Sequence, residues 1–549
     1  MNLMDMLRRA IDLHQSGRLG EASVIYQKIL EDDPTNADAL HLSGVLALQN
    51  GDGERSIELI GRAVSLQPSD GRYHANLGRA YVAMDNPLSA IECYRQAIKL
   101  SPEDGDVHSD LGVALFDQGD KAGGEVSFQE ALKINPESVE AHFHLALILH
   151  DCGDVSVAKV HYQQTLSLDP TRIEAWCNLG NIERELANFE AAEACYRRAL
   201  ELDNSVAEVH GNLGVALQET GQIEAAIASY RRAIQLNPED AETRRNLSMA
   251  LLLVGEYAEG WQEYEWRWNT HYFAPQVRSL KAPRWAGKNL TGKTILVTAE
   301  QGYGDTLQFI RFLPMIVEKG GHIIFECQAP LVDLVRGMEG GFQVIRQGEG
   351  LPDHDYQIPL LSLPGLFEVR ENSIPASVPY LHAPVGPGCD FTETGFKVGL
   401  AWRGSPGFKR DGLRSPGLEP FIPLINLDGV QIYSLQKDEG LEELEKYGLK
   451  DQVIDIGSKI ETFSDTAAAL SQMNLIISSD TAVAHLAGAM GLPVWVALSK
   501  IPDWRWLMKG VKCPWYPTMK LYRQTSPGNW SDVVEMMCND LPRFRTMSL

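Results

Sequence analysis

A spacing of 34 residues runs through the first half of the chain and limits its fold more than any other feature. Proline recurs at this interval from Pro34 to Pro170 and again at Pro238, and Asn204 fills the vacant place. Three further registers share the period, holding glycine (Gly44, Gly78, Gly112, Gly180, Gly214), an aromatic residue (Tyr26, Tyr94, Phe128, Tyr162, Tyr196, Tyr230) and alanine (Ala63, Ala97, Ala131, Ala199, Ala233). Several independent registers with one period indicate a repeated helix–turn–helix unit.

Each register has a physical reason. Glycine on the first helix lets the second helix cross closely, the aromatic ring fills space between repeats, and proline ends each unit because it cannot continue a helix. Such hairpins bury their apolar faces only against one another, so they stack into a superhelix. The pattern, as in NLGRAYVAMDNPLSAIECYRQAIKLSP, is identified as the tetratricopeptide repeat. We count seven full repeats from Leu3 to Asp240, and predict that a degenerate aromatic unit, Ala241 to about Asn269, caps the solenoid or docks it on the next domain.

One polar position recurs just before the Leu-Gly pair of each first helix. It holds Asn76, Asp110, His144, Asn178, Asn212 and Asn246. An amide offers both a donor and an acceptor, so a line of asparagines can grip the backbone of an extended peptide. A similar ladder is known in the repeat arm of the O-GlcNAc transferase family. We therefore take Asn76, Asn178, Asn212 and Asn246 as candidate acceptor-peptide contacts; the alternative is that these residues solvate the groove and cap turns.

Strands that alternate with helices follow the repeats. A linker (271–293) leads to KTILVT, HIIFEC and FQVIRQ, and after a Pro- and Gly-rich stretch near 382–395 the pattern restarts with KVGLAW, QIYSLQ, NLIISSD and PVWVAL. This alternation predicts parallel sheets. We expect an all-α repeat superhelix (1–270) and an α/β GT-B domain of two Rossmann-like, doubly wound lobes, residues 294–385 and 396–549. The terminal helix SDVVEMMCNDL is expected to cross back to the first lobe.

The segment NLIISSDTAVAHLAGAMG has a strand that runs directly into a helix start. The first free amides of such a helix point to the carboxyl edge of the sheet, where a pyrophosphate is stabilised. The segment resembles the nucleotide-sugar motif of the heptosyltransferase family (glycosyltransferase family 9), Asp-Thr-Gly/Ala-x-x-His-Leu-Ala. The resemblance assigns nucleotide-sugar binding to Asp480, Thr481, Ala482 and His485. The alternative is an ordinary capped helix with a core histidine.

The segment GYGDTLQFIRFLP resembles the first loop of the same family. Gly304 and Asp305 match its Gly-Asp pair, and the family's catalytic carboxylate maps onto Asp305. A general base near the acceptor hydroxyl suits an inverting transfer. Asp305 is also a candidate helix cap, and one residue can serve both purposes. Gln301 and Arg311 are candidates for orienting the acceptor or donor.

The loop GLAWRGSPGFKRDGLRS supplies the positive charge that a diphosphate requires. The candidate nucleotide-sugar contacts in this loop are Ser405, Lys409 and Arg414, and Gly304 of the first loop joins them. At the end of the next strand, Ser434 and Gln436 are candidate contacts to the base or ribose of the same donor. Lys409 is also readable as a solvated surface charge. The aromatic tail segments PDWRWL and PWYPTMKLYRQ favour either sugar stacking or core packing.

Composition narrows the class of protein. A net charge of −24 opposes broad binding to nucleic acid, and no stretch approaches a membrane span. Eight cysteines without CxxC pairs predict reduced thiols and a cytoplasmic protein, and we expect neither a metal nor a cofactor.

The repeats and motifs together predict a metal-independent transferase that moves a sugar from a nucleotide-sugar to a protein Ser/Thr hydroxyl held by the repeats. The alternatives are an envelope glycolipid transferase and a non-catalytic interaction scaffold.

Overall fold

Sixteen α-helices in consecutive hairpins form the first part of the protein, whose computed structural model describes residues 2–278, 280–384, 395–404, 411–437 and 440–548. They are α1 (Leu3–Gln15), α2 (Leu19–Asp32), α3 (Ala37–Gln49), α4 (Gly53–Leu66), α5 (Gly71–Ala83), α6 (Pro87–Leu100), α7 (Gly105–Asp117), α8 (Lys121–Ile134), α9 (Val139–Asp151), α10 (Val155–Leu168), α11 (Ile173–Glu185), α12 (Phe189–Leu202), α13 (Ala207–Glu219), α14 (Ile223–Leu236), α15 (Ala241–Leu253) and α16 (Tyr257–Tyr264). The bounds match the predicted repeat period, and α15–α16 correspond to the degenerate eighth unit.

The periodic glycines lie where the two helices of a hairpin touch. A Cβ added at Gly78 would stand 2.6 Å from the Tyr94 ring, and one at Gly112 would stand 2.6 Å from the Phe128 ring. Both distances are shorter than a non-bonded carbon–carbon contact, so a Cβ at either position would force the ring to move. The ring therefore fills the space directly over the glycine of its own hairpin.

A second periodic feature ties the turns between repeats. The ring nitrogen of His74 donates to the Pro68 carbonyl at 3.0 Å, and the Trp176 indole donates to the Pro170 carbonyl at the same distance. His108 and Arg244 bind the carbonyls of Pro102 and Pro238 in the same way. These bonds satisfy carbonyls that have no partner within a helix.

The chain divides into two compact units, Met1–Val209 and His210–Leu549, and each is described by itself. The helices described in the first unit are all repeat helices. The second contains the last repeat helices together with two parallel sheets. The division falls within α13, and the domain boundary at residue 270 stays a prediction.

The first sheet has four parallel strands in the order β3-β2-β1-β4. Its elements are β1 (Thr294–Thr298), α17 (Tyr303–Phe309), α18 (Leu313–Val317), β2 (His322–Cys327), α19 (Val332–Arg336), β3 (Gln343–Arg346), β4 (Tyr356–Pro359) and α20 (Leu363–Leu366). The predicted linker packs on the outer edge of this sheet, because the Trp285 amide donates to the Gln357 carbonyl at 2.9 Å.

The second sheet has six parallel strands in the order β10-β9-β8-β5-β6-β7. Its elements are β5 (Phe396–Ala401), α21 (Asp411–Arg414), α22 (Ile422–Ile425), β6 (Val430–Ser434), α23 (Glu442–Lys446), β7 (Val453–Asp455), α24 (Phe463–Leu470), β8 (Leu475–Ser479), α25 (Ala482–Ala489), β9 (Val494–Leu498), β10 (Met519–Arg523) and α26 (Ser531–Ser548). Read from the other edge, this is the strand order of the Rossmann sheet, with its switch point between β5 and β8.

The C-terminal helix α26 corrects the expectation that it braces the first lobe. Its apolar residues Val533, Val534, Met537 and Leu541 lie in the core of the second sheet. Asp540 on the same helix accepts hydrogen bonds from Lys520 and Tyr522 of β10. The physical reason is the apolar stripe of α26, which covers the face of the sheet that immediately precedes it in the chain.

None of the described helices is long and apolar enough to cross a membrane.

Candidate active site

Two helix starts, one from each sheet, meet at the carboxyl ends of β1 and β8. Helix α17 follows β1 through the turn at Gln301 and Gly302, and α25 follows β8 through Asp480 and Thr481. The two helices pack together, since a Cβ at Gly304 would stand 2.9 Å from the His485 ring. Ligands of parallel α/β sheets bind outside these strand ends. The structure thus brings together the two segments that sequence analysis assigned to chemistry.

Asp305 lies in the first turn of α17 and has two partners. One carboxylate oxygen accepts from the Gly302 amide at 2.8 Å, which caps the helix. The other is paired with the Arg505 guanidinium. Burial raises the pKa of Asp305 above its usual value, although the charge of Arg505 opposes the rise. The cap that the sequence offered as an alternative is present, and the base role stays a prediction.

Arg505 is the main residue of the site that sequence analysis did not assign to binding or catalysis. It lies in the short 3₁₀ turn Trp504–Trp506 after β9, and its side chain is 10% exposed. Besides Asp305, it donates to Asp503 at 2.7 Å and to Gln308 at 2.9 Å. The segment PDWRWL, which sequence analysis described by its aromatic residues, therefore also contributes a buried guanidinium to the site. The residues next to Arg505 in the sequence, Asp503 and two tryptophans, form no motif that would have predicted its place in the site.

Asp480 and Thr481 form the loop between β8 and α25. Burial, followed by the negative charge of Asp503, raises the pKa of Asp480 to about 6. Thr481 is the N-cap residue, but its hydroxyl bonds to Ser478 at 2.9 Å and makes no capping bond to the helix. The first turn of α25, starting at Ala482, therefore has no side-chain cap, which suits a helix start that receives an anion.

His485 is buried within the site. Its Nδ1 lies 3.1 Å from the Tyr516 hydroxyl, and its ring stacks on Trp506 with centroids 5.1 Å apart. Burial, and then the charge of Arg505, keeps the pKa of His485 well below its usual value, so the ring is neutral. This is the environment of the core histidine that sequence analysis gave as the alternative, placed against Gly304.

Part of the basic loop lies within the described residues. Ser405 and Lys409 lie outside the described residues. Arg414, at the end of α21, bonds to Asp411 at 3.0 Å and lies beside Gly404, and its charge acts on Asp480. The structure therefore places Arg414 at the site.

Two predicted contacts at the end of β6 have structural partners instead. Ser434 is fully buried, and its hydroxyl accepts from the Gln436 amide at 3.3 Å. The Gln436 side chain accepts from the backbone amides of Trp402 and Arg403, at 3.2 and 3.0 Å. These bonds fix the loop after β5, because its amides have no ladder partner there. Ser434 therefore presents no exposed hydroxyl to a base or ribose.

The candidate ladder residues are half-buried in both units. Asn76 is already bonded within the first unit, to His41 at 2.7 Å and to Arg79 at 3.0 Å. Asn178 lies on α11 in the same unit, and Asn212 and Asn246 lie on α13 and α15 in the second. A peptide would have to replace the bonds of Asn76.

Among the described residues, no group of three His, Cys, Asp or Glu side chains is placed to hold a metal ion. The polar groups at the site are instead three carboxylates (Asp305, Asp480 and Asp503), two guanidinium groups (Arg414 and Arg505) and the first turn of α25. Such a set can hold an anionic ligand and accept a proton.

Comparison with known proteins supports the repeats. Family models described as tetratricopeptide repeat match residues 13–80 and 171–239, and one described as TPR repeat matches residues 89–119. The chain therefore carries tetratricopeptide repeats through its N-terminal region, a scaffold for protein interactions, followed by parallel sheets.

Protein FlbA of Caulobacter vibrioides is 28% identical over 335 residues, which cover 53% of this chain and 54% of that protein. The chain thus spans about half the length of this curated relative. Among solved structures, YrrB, described as a TPR protein with an unusual peptide-binding site, is 21% identical, with a TM-score of 0.30 over 33% of this chain and 92% of that one. Pseudomonas aeruginosa PilF is 19% identical, with a TM-score of 0.36 over 38% and 95%.

Proposed function

We propose that this chain is a metal-independent glycosyltransferase of GT-B architecture, which transfers a sugar from a nucleotide-sugar to a Ser/Thr hydroxyl of a protein held by the repeats. The observation that carries the proposal is the contact between the Gly304–Asp305 turn and the helix start at Asp480–His485. These segments come from different sheets and resemble two separate loops of one transferase family. Their meeting at the strand ends supports a shared site.

The chemistry assigns one task to each segment. Asp305 accepts the proton of the acceptor hydroxyl as its oxygen bonds to the anomeric carbon and the bond from that carbon to the diphosphate breaks. The pKa raised by burial makes Asp305 a stronger base than an exposed aspartate. The uncapped first turn of α25 and the Arg414 guanidinium offset the negative charge of the departing diphosphate.

The repeats supply the acceptor. Their proposed role is to bind an extended segment of a protein and raise its local concentration at Asp305. An acceptor lipid would leave this arm without a purpose.

A second candidate, a scaffold without catalysis, is favoured by the ion pair between Asp305 and Arg505, which occupies part of the carboxylate. Calorimetry with a panel of nucleotide-sugars separates the two functions. A transferase binds at least one of them, and a scaffold binds none.

The transfer step is tested with Asp305→Asn, which keeps the shape of the side chain and removes the base. With labelled donor and a protein lysate, we expect the rate to fall by roughly 10²–10⁴, while donor affinity stays near that of the wild type. Asp503→Asn, which removes the other carboxylate partner of Arg505, is the matched control and should reduce the rate much less. If Asp305→Asn retains the activity of the wild type, Asp305 is not the catalytic base.

A further inference from the structure

Two consecutive residues just before the Asp305 turn are held by side chains from the end of the last repeat hairpin. The side-chain amide of Gln301 donates to the Tyr264 hydroxyl at 2.7 Å. The Arg267 guanidinium donates to both oxygens of Glu300, at 3.0 and 2.9 Å. Tyr264 is 3% exposed and Arg267 is fully buried. The repeat hairpin therefore reaches the backbone that leads into α17.

The backbone at this point needs support. Gln301 has a φ of 63°, a left-handed conformation that residues other than glycine rarely adopt. Its carbonyl accepts from Gln328 at 3.2 Å, and the Glu300 carboxylate also accepts from the Leu361 amide at 3.0 Å. Strained turns of this kind persist where the surrounding structure holds them. Tyr264 and Arg267 are two of the groups that do so.

The turn at Gln301 also fixes the direction of the Asp305 carboxylate. Gly302 follows Gln301 directly, and its amide donates to the Asp305 carboxylate at 2.8 Å. A rotation of the peptide at Gln301 would displace this amide and change the direction of the carboxylate. The contacts thus form one series from Tyr264 through Gln301 and Gly302 to Asp305.

We infer that the last repeat hairpin is a working part of the active site, in which Tyr264 and Arg267 are positioning residues for Asp305. The inference rests on the proposed function, because it gives the catalytic carboxylate its direction. It adds that the repeats do more than bind the acceptor. The end of the repeat array also shapes the turn on which transfer depends.

The test is the pair Tyr264→Phe and Tyr257→Phe in the full chain. Each change removes one buried hydroxyl from the same hairpin, but the Tyr257 hydroxyl has no hydrogen-bond partner among the described residues. Amide hydrogen exchange is measured over residues 299–306, and kcat and KM are measured with the nucleotide-sugar that the chain binds. We expect Tyr264→Phe to speed exchange in this segment and lower kcat about 10-fold with the donor KM unchanged, since small misplacement of a catalytic group is costly. Tyr257→Phe should change neither.

Gln301 supplies a second variant pair. Gln301→Gly and Gln301→Ala both lose the bond to Tyr264, but glycine adopts a positive φ without strain. We expect Gln301→Gly to retain more activity and slower exchange than Gln301→Ala. Equal exchange over 299–306 in the wild type and Tyr264→Phe would overturn the inference. A wild-type protein that binds no nucleotide-sugar would instead overturn the proposed function, and the exchange comparison would still decide whether Tyr264 holds the turn.

Discussion

Replacement of Arg267 by methionine tests whether the last repeat hairpin and the first sheet are joined by a buried ion pair. The side chain of Arg267 is 0% exposed, and its five N–H groups find five acceptors: both oxygens of Glu300, the carboxylate of Glu265, the hydroxyl of Ser362 and the carbonyl of Tyr264. The Glu300 side chain is 6% exposed. Arg267→Met leaves that carboxylate in the interior with the Leu361 amide as its remaining described partner.

The size of the effect follows from which charge is left alone. Removing one partner of a buried pair costs about 3–5 kcal/mol of unfolding free energy, because the other charge stays buried without its counter-ion. Glu300→Gln should cost less, about 1–2 kcal/mol, because Glu265 still bonds to Arg267 at 3.0 Å. The double variant should cost less than the sum of the two, by about 0.5–3 kcal/mol.

Urea unfolding followed by tryptophan fluorescence measures these differences, since every tryptophan except Trp176 lies in the second unit. Arg231→Met is the matched control. It breaks an ion pair with Glu259 whose side chains are 50% and 42% exposed, and it should cost under about 1 kcal/mol. Burial of the Arg267–Glu300 pair does not set its stability if Arg267→Met costs no more than Arg231→Met, or if the two changes at Arg267 and Glu300 simply add.

Two further predictions concern pH. Burial lowers the pKa of His41 from 6.5 to about 4, and the neutral ring bonds to Asn76, so the stability that it contributes to the repeats should be lost as the pH falls from 6.5 to 4. Thermal unfolding followed by circular dichroism checks this, and His41→Gln should flatten the dependence. The pKa of Asp480 is raised to about 6, so its ionisation should destabilise the folded protein as the pH rises from about 4 past 6. Asp480→Asn should therefore unfold at a higher temperature than the wild type at pH 7.5 but not at pH 4, and equal midpoints at pH 7.5 would contradict the shift.

The repeats were predictable because the same pair of packed residue types recurs in successive units. A glycine and an aromatic residue that must touch recur 16 residues apart, as in Gly78–Tyr94 and Gly112–Phe128, so a departure in one repeat does not hide the pattern. The turn-binding residues His74, Trp176 and Arg244 were missed, because their common property is a side-chain N–H and not a shared residue type.

The strands that sequence analysis did not name are short or lie at sheet edges. β7 has three residues, β4 ends at a proline, and β10 (Met519–Arg523) is an edge strand in a segment described by its aromatic residues. Short edge strands carry little apolar periodicity, because only part of each is buried. The longer central strands β1, β5 and β8 were all predicted, since they are buried on both faces.

The partners of the site residues could not be predicted in the same way. Asp305 and Arg505 are 200 residues apart, and Tyr264 meets Gln301 from a different element. No local pattern reports such pairs, because tertiary packing alone brings them together. The motif residues themselves were found, since each lies directly after a buried strand where a helix begins.

The ion pair with Arg505 is compatible with the base role proposed for Asp305. A carboxylate offers about four lone-pair positions, and the Gly302 amide, the Arg505 guanidinium and the backbone amide of Asp305 itself take some of them. The remaining positions suit an acceptor hydroxyl. Arg505 weakens the base, whereas burial strengthens it, and the net effect is a pKa above the usual value. The same guanidinium fixes the direction of the carboxylate, so this one contact is compatible with both candidate functions, the non-catalytic scaffold and the proposed transferase.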